Sequence, residues 1–323
     1  MTIVKLANRK GIQKTQHKKN NILKKLSKSI FQSWQLYVLL LPATLYFILI
    51  KYLPMYGVQI AFRNYTAVNG ITGSPWVGLK NFREIFTMPV FWTMIRNTVL
   101  INVYNLLWGF PVPIILALML NEVNHTGYKK LVQNVTYIPH FISTVVLVGM
   151  IIECLSPTYG FVNKFIKILG GETIEFMQKP EYFRTIYIFS GIWKSAGWSS
   201  IIYLSALSSI DMQMYEAAKI DGASRLKCIW HINIPSILPT IVILLILRTG
   251  EIMNVGFEKI YLMQNSLNLE VSEVISTYVY KIGLLRAKYS FTTAIDLFNS
   301  VINFILLVIV NHISKKVTEI GIF

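Results

Sequence analysis

The sequence is poor in charged residues and in cysteine. Only 14% of its 323 residues are Asp, Glu, Lys or Arg, whereas 54% are hydrophobic and 13% are aromatic. Soluble domains carry about 25% charged residues, so this composition excludes an ordinary soluble protein and predicts an integral membrane protein. The two cysteines, Cys154 and Cys228, are far apart and form no CxxC pair. They therefore support neither a disulfide framework nor a zinc site.

Acidic residues are scarce as well, since 15 Asp and Glu stand against 31 Lys and Arg. Such an excess is typical of nucleic-acid-binding proteins, but in a membrane protein it is first tested for sidedness about the bilayer. The first 33 residues hold nine basic residues and no acid. No small-residue cleavage site follows the first apolar run, so we expect that run to stay in the protein.

Six apolar runs are long enough to cross a bilayer, whose hydrocarbon core of about 30 Å needs roughly 20 helical residues. They cover residues 34–53, 97–120, 131–155, 182–210, 236–257 and 291–312. Prolines inside several runs predict local bends, which neighbouring helices tolerate in a membrane bundle. The sequence therefore predicts an all-α integral membrane domain over 34–314, between a basic N-terminal tail (1–33) and a short C-terminal tail (315–323).

An even number of spans places both termini on the same side of the membrane. The two tails and the two loops on their side hold 16 basic residues, whereas the longer loops on the opposite side hold 11. The positive-inside rule therefore predicts that both tails and the loops 121–130 and 211–239 are cytoplasmic. This sidedness explains much of the basic excess without nucleic acid, and the N-terminal tail is also suited to contact anionic lipid.

Three longer connections lie on the opposite, outer side, at 54–96, 156–181 and 258–290. They contain aromatic, amphipathic stretches such as "WVGLKNFREIF" and "VSEVISTYVYKIGLL", which predict short helices on the outer surface. Two interpretations remain open: these helices serve as lids or docking surfaces, or they rest at the membrane interface without a partner.

A polar stretch, "EAAKIDGASRLKCIWHINIPSILP", separates two of the most apolar runs. Asp211 is suited to cap a helix that runs to Asp221, and Gly222 is suited to end it. Ser224 can then cap a second short helix, so the loop 211–239 is predicted to be helix, turn, helix. Two short helices cannot bury an apolar face alone, so the loop packs either on the bundle or against another protein.

The same stretch resembles the EAA motif of binding-protein-dependent ABC importer permeases. The resemblance rests on the "AAxIDGA" core and on the motif residues Glu216, Ala217, Ala218, Gly222, Ile237, Leu238 and Pro239. The stretches "LPMYGVQIAFRNY", "VGLKNF" and "NVGFEKIYLMQN" further resemble the carbohydrate branch, and within it permeases for complex oligosaccharides. Together these features cover nearly the whole chain.

The resemblance implies the type I ABC importer (MetI-like) permease fold, with six transmembrane helices, short amphipathic outer helices and a cytoplasmic coupling helix. It implies a multi-pass protein of a prokaryotic plasma membrane that works with a second homologous permease, a cytoplasmic ATPase dimer and an external solute-binding protein. This chain contains no GxxxxGK[ST] motif, so we expect it to bind no cofactor, with ATP and Mg²⁺ on the ATPase. The residues implied at the ATPase contact are Glu216, Ala217, Ala218, Asp221, Gly222 and Arg225.

Ionisable residues inside the spans are costly and are functional candidates by default. Lys194 and Arg248 lie near the middle of the fourth and fifth spans, and Glu251 follows Arg248 at a spacing that allows an ion pair. The alternative is a polar translocation cavity lined by Lys194, Trp198, Arg248, Glu251 and Asn254. A sharper hypothesis is that Lys194 and Arg248 favour an acidic sugar. In the sixth span, Asp296, Asn299 and Asn303 share one face and are expected to join helices.

Three other functions are alternatives to an oligosaccharide permease. An intramembrane enzyme needs a nucleophile, a base or metal ligands at one depth, and five dispersed His with two distant Cys do not provide them. A passive channel leaves the loop 211–239 without a purpose. A permease for a non-sugar solute remains an alternative. Copurification with an ATPase separates the importer from the enzyme and the channel.

Overall fold

The computed structural model describes residues 33–319 and Gly321. These residues are helical, with a single antiparallel bridge between Arg63 and Trp76 as their only strand-like pairing. The all-α prediction is therefore confirmed. Residues 1–32 of the predicted N-terminal tail lie outside the described residues. Positions 320, 322 and 323 of the predicted C-terminal tail do so as well.

Sixteen α-helices follow one another along the described chain. They are α1 (Trp34–Tyr46), α2 (Gly70–Gly73), α3 (Lys80–Thr87), α4 (Pro89–Tyr104), α5 (Pro111–Glu122), α6 (Thr126–Tyr137), α7 (Thr144–Leu155), α8 (Phe161–Ile168), α9 (Pro180–Ser208), α10 (Met212–Ile220), α11 (Arg225–Cys228), α12 (Ile234–Gly250), α13 (Phe257–Met263), α14 (Leu269–Ser272), α15 (Ile275–Val279) and α16 (Tyr289–Thr318). Short π-helical turns extend α1, α4, α11 and α15, so several helices run on beyond these bounds.

The described residues up to Gln59 form one unit, and the described residues from Ile60 onward form a second. The first unit contains α1, which carries no charge and is apolar all round, without a buried residue. A helix of this kind requires an apolar surrounding, and the bilayer supplies one. The second unit contains the remaining helices and every residue of the candidate site.

Four helical stretches are long and apolar enough to cross a membrane. They are Trp34–Phe62, Pro89–Glu122, Arg225–Gly250 and Tyr289–Lys316. Thr126–Phe141 and Thr144–Leu155 together form a fifth candidate, bent by 101° at Pro139 to Ser143. The predicted fourth span coincides with α9, whose 29 residues reach about 43 Å at 1.5 Å per residue. The helix α9 is too polar to count among the helices that are apolar enough to cross a membrane, because it contains several serines and glycines and Lys194.

The fifth predicted span, 236–257, has different bounds in the structure. Its helix ends at Gly250, residues 251–253 form a turn, and residues 254–256 have no regular secondary structure. Toward the loop 211–239 the helix is longer than predicted, because a π-helical turn at Ile229–Asn233 joins α11 to α12 without a break. The second half of the loop, from Arg225, and the fifth span are therefore one continuous helical rod.

The core of the second unit lies in three clusters. The one that positions the loop joins α5, α9 and α12 through Ala117, Tyr203, Leu207 and Ile237. Polar side chains also join neighbouring segments, which is the role predicted for the polar residues of the sixth span. The Asn303 side chain on α16 accepts a hydrogen bond from the backbone N–H of Met253 at 3.0 Å.

The predicted outer helices are present as α3 and α8 and as the shorter α13 to α15. Buried asparagines hold them in place. Asn163 of α8 donates to the carbonyls of Leu155 and Ser156 and exchanges two hydrogen bonds with Ile174. Asn97 of α4 donates to the carbonyls of Glu270 and Glu273, so the outer segment around α14 is fastened to the bundle.

Candidate functional site

A cavity of about 690 Å³ lies among α4, α5, α9, α12 and the segment that follows α12. This volume falls within the range of small-molecule sites in proteins. Its polar lining is unusual for the interior of an apolar bundle and includes Asn102, Asn105, Ser195, Ser199, Arg248, Glu251, Asn254, Lys259 and Ser276. Aromatic rings complete the wall: Phe110, Tyr187, Tyr203 and Phe257. Polar hydrogen-bonding groups beside aromatic faces suit a hydroxyl-rich ligand with apolar ring faces.

The end of α12 brings the charged side chains to this cavity. After Gly250 the backbone turns, and the N–H of Asn254 donates to the carbonyl of Glu251 at 2.7 Å. Non-helical backbone within a membrane domain is tolerated where it is enclosed by protein or lines a cavity. Gly250 permits the close approach of α16, because a Cβ atom there would lie 2.7 Å from a methyl carbon of Leu307.

Three of the five predicted cavity residues line the cavity: Arg248, Glu251 and Asn254. The ion pair that the sequence allows between Arg248 and Glu251 does not form within 4.0 Å in the described structure. Both charges therefore remain available to a ligand. Their part in translocation stays a prediction.

The other two predicted residues, Lys194 and Trp198, are not among the residues that line the cavity. The Lys194 Nζ donates to the Thr144 hydroxyl on α7 at 3.2 Å. The Trp198 ring stacks on His140, with centroids 4.6 Å apart and planes 2° apart. Both side chains thus join α9 to the bent region around α7.

Lys259 on α13 lines the cavity and was not predicted. Its Nζ donates to the Tyr187 carbonyl at 2.6 Å and lies 4.4 Å from the centroid of the Tyr187 ring. Burial and, as the smaller cause, the charge of Lys194 together lower the pKa of Lys259 to about 7. The sequence placed this residue in an outer connection, and its only signal was a lone lysine in the apolar run "FEKIYLM".

The loop 211–239 has the predicted helix–turn–helix form. The Asp211 carboxylate accepts from the N–H of Gln213 at 2.9 Å, and the Ser224 hydroxyl accepts from the N–H of Lys227 at 3.4 Å. Between these caps, Gly222 has a φ of +72°, in the left-handed region where glycine is favoured. The predictions of both caps and of the turn are confirmed.

The loop is fixed to the bundle at its second half. The Tyr215 hydroxyl donates to the Asn233 side chain at 2.6 Å, and the motif residue Ile237 is fully buried beside α5 and α9. A movement of α10 is therefore passed directly to the start of α12.

The opposite surface of the loop is exposed. Of the predicted contact residues, Glu216, Ala217, Asp221, Gly222 and Arg225 are exposed and Ala218 is half-buried. Large apolar side chains stand beside them, with Ile220 86%, Leu226 69% and Trp230 66% exposed. An exposed apolar surface of this kind is typical of a site that contacts another protein or the membrane. The ATPase contact itself remains a prediction.

Comparisons with known proteins agree with this geometry. Residues 44–319 match the family model described as "Binding-protein-dependent transport system inner membrane component". The chain is 46% identical over 300 residues to the polygalacturonan/rhamnogalacturonan transport system permease protein YteP of Bacillus subtilis, covering 93% of this chain and 94% of that protein. It is also 44% identical over 288 residues to protein LplB of the same organism, covering 89% of this chain and 91% of that protein.

A solved structure shows the same fold. The chain is similar to a subunit of a bacterial alginate ABC transporter, crystallised in complex with a periplasmic protein that holds an alginate pentasaccharide. The TM-score is 0.84 at 42% identity, and the match covers 91% of this chain and 99% of that one. The prediction of the ABC importer permease fold is confirmed.

Proposed function

Because this chain belongs to the family of binding-protein-dependent transport system inner membrane components, we propose that its polar cavity carries an oligosaccharide across the membrane. The observation that supports this most is the continuous rod from α11 through α12. It places Arg248 at the cavity and Leu226 on the exposed loop, 22 residues or roughly 33 Å away. A movement imposed on the loop is thereby delivered to the cavity wall.

The driving movement is the closure of a separate ATPase on ATP. The exposed surface of α10 and α11 docks in a cleft of that ATPase, and the buried Ile237 and the Tyr215 to Asn233 hydrogen bond make the joint stiff. Alternating access then follows from two arrangements of the same packed helices. This chain supplies the path and the coupling surface, and the ATPase binds ATP and Mg²⁺.

Four partners complete the proposed importer. A second homologous permease forms the other half of the path, two ATPase subunits dock on the cytoplasmic side, and a solute-binding protein delivers the substrate to the outer helices α3, α8 and α13 to α15. Membrane lipid surrounds the spans. The chain lies in a prokaryotic plasma membrane with both termini in the cytoplasm, as the distribution of basic residues supports.

The substrate is a complex oligosaccharide. Support comes from the mixed lining, in which Tyr203 and Phe257 offer aromatic faces for sugar rings while Asn102, Asn105 and Asn254 offer amides for hydroxyl groups. Further support comes from the relative named for polygalacturonan and rhamnogalacturonan transport and from the alginate transporter.

The proposed function is tested by affinity purification of the tagged chain, followed by uptake assays in proteoliposomes. We expect an ATPase and a second permease to copurify, and oligosaccharide uptake to require both ATP and the solute-binding protein. Uptake that proceeds without ATP would favour a channel. Turnover of a glycan without its transport would favour an enzyme.

Charge reversal at Glu216 is expected to weaken ATPase docking. The carboxylate is exposed on α10. A lysine there reverses one charge of an interfacial charge pair, which lowers the affinity for the ATPase by about tenfold or more. Binding of the purified ATPase to the permease in nanodiscs measures the effect. Glu172→Lys, an equal reversal at an exposed outer residue, is the control, and an equal loss in both variants would contradict the assignment.

A further inference from the structure

The cavity holds more positive than negative charge. Arg248 and Lys259 both line it, and Glu251 is the carboxylate among the described lining residues. Neither cation lies within 4.0 Å of a carboxylate in the part of the chain that the structure describes, where the one ion pair is Lys281 to Glu273. Lys259 is half-buried whereas Arg248 is exposed, so the cost of removing a cation from water without a paired anion falls mainly on Lys259. The retention of this lysine is explained if a ligand supplies the anion.

The ammonium of Lys259 is held by weak partners and is only partly satisfied. One of its three N–H donors goes to the Tyr187 carbonyl, and the Tyr187 ring lies beneath it. The other two donors have no hydrogen-bond acceptor among the described residues. The ammonium is therefore positioned and still able to bind an anion.

A glycine keeps this ammonium uncovered at the cavity wall. Gly191 on α9 lines the cavity beside Lys259, and a Cβ atom at Gly191 would lie 3.3 Å from the Lys259 Nζ. A contact this tight would push the ammonium away from its present position. The absence of a side chain at Gly191 thus leaves room for Lys259 to lie against α9 and face the cavity.

From this geometry we propose that Lys259 determines specificity by recognising a carboxylate on the transported saccharide, with Arg248 as the second cation of the same site. The proposal rests on the proposed function and names its substrate class as uronate-containing oligosaccharides. Hydrogen bonds from a cation to a carboxylate are roughly twice as strong as neutral ones. A neutral saccharide of the same shape keeps the aromatic and amide contacts but lacks the hydrogen bond from a cation to a carboxylate.

A purely structural role is the competing interpretation, because Lys259 also links α13 to α9 through Tyr187. The two roles differ in what they do to neutral ligands. If Lys259 only links the two helices, its loss weakens the binding of every saccharide. If Lys259 binds the carboxylate, its loss weakens the binding of acidic saccharides alone. A ligand pair that differs in charge alone separates the two roles.

Binding of trigalacturonate and trimannuronate, each beside its fully methyl-esterified form, tests the proposal. The assembled transporter is placed in nanodiscs without its solute-binding protein, so that only the cavity selects, and calorimetry measures the affinities. We expect the wild type to bind at least one acid about tenfold more tightly than its ester. Lys259→Gln should remove most of that preference by weakening the acid alone, and Lys259→Arg should restore it.

Binding of the ester also reports whether the Lys259→Gln cavity is intact. Lys167→Gln, which removes a lysine from the outer helix α8, should leave both affinities unchanged. Equal weakening of acid and ester by Lys259→Gln, or a wild type without preference, would overturn the proposal and leave oligosaccharide transport standing. A wild type that binds none of the four ligands would count against the proposed function as well.

Discussion

Replacing Gly222 with proline is expected to reduce oligosaccharide uptake by roughly tenfold or more, the range of a typical coupling free energy between sites. The variant should still insert into the membrane and still assemble with its ATPase. ATP hydrolysis should continue without matching transport. Uptake and ATPase activity, measured together in proteoliposomes, give the ratio that the change is expected to lower.

The reason is the backbone at this turn. Gly222 has a φ of +72°, whereas the proline ring holds φ near −65°. Proline also removes the hydrogen bond from the Gly222 N–H to the Lys219 carbonyl, which is 3.1 Å long. A Cβ atom at this position would meet nothing within 4 Å. The change therefore acts on the angle between α10 and α11 through the backbone of the turn, and not through crowding of the Cβ atom.

Gly170→Pro is a closely matched control. Gly170 follows α8 with a φ of +83°, its N–H donates to the Lys167 carbonyl at 3.0 Å, and a Cβ atom there also meets nothing within 4 Å. The residues before the two glycines have similar backbone angles, with φ and ψ of −74° and 4° at Asp221 and −80° and 4° at Leu169. Both prolines impose similar strain, so equal losses of uptake would contradict a coupling role for the loop.

Gly197→Ala is expected to lower the stability of the folded protein by about 2 kcal/mol or more, the cost of overpacking at a tight contact. A Cβ atom at Gly197 would lie 2.1 Å from the carbonyl oxygen of Thr136 on α6. A backbone atom cannot move aside as the end of a long side chain can. The helix propensity of alanine over glycine, worth about 1 kcal/mol, is too small to offset this clash.

Gly149→Ala provides the comparison within another helix. Gly149 lies in the middle of α7, where a Cβ atom would meet nothing within 4 Å. This variant should keep or slightly raise the midpoint of thermal unfolding in detergent, and Gly197→Ala should lower it by several degrees. If both variants unfold at the wild-type temperature, the close packing of α9 on α6 is not as the structure describes it.

The positions of the caps and of the turn were readable from the sequence because they depend on local chemistry. Asp211, Gly222 and Ser224 act on backbone groups within three residues of themselves, so their roles follow from residue type. Arg248, Glu251 and Asn254 line the cavity, as expected of polar groups in an apolar run, which require a polar surrounding. Their part in translocation stays a prediction. Their exact partners depend on the turn after Gly250, which the apolar run does not reveal.

Lys194, Trp198 and Lys259 show where such reasoning fails. All three are polar or amphipathic residues in apolar surroundings, and the sequence offered no means of telling which of them reach the cavity. Lys194 contacts Thr144 and Trp198 contacts His140, both in the bent region between α6 and α7. Lys259 reaches the cavity because the chain turns back after α12. Contacts between residues this far apart in sequence are set by packing.

The sequence by itself determined that this protein is a helical membrane protein with a helix–turn–helix loop on its basic side, because hydropathy, charge sidedness and capping act locally or along a single helix. Only the tertiary structure decided that α11 and α12 form one rod, that the spans enclose a polar cavity, and that Arg248 and Lys259 face it without a carboxylate partner among the described residues. These features depend on which helix faces meet, and many different pairings of faces are compatible with the same pattern of apolar runs.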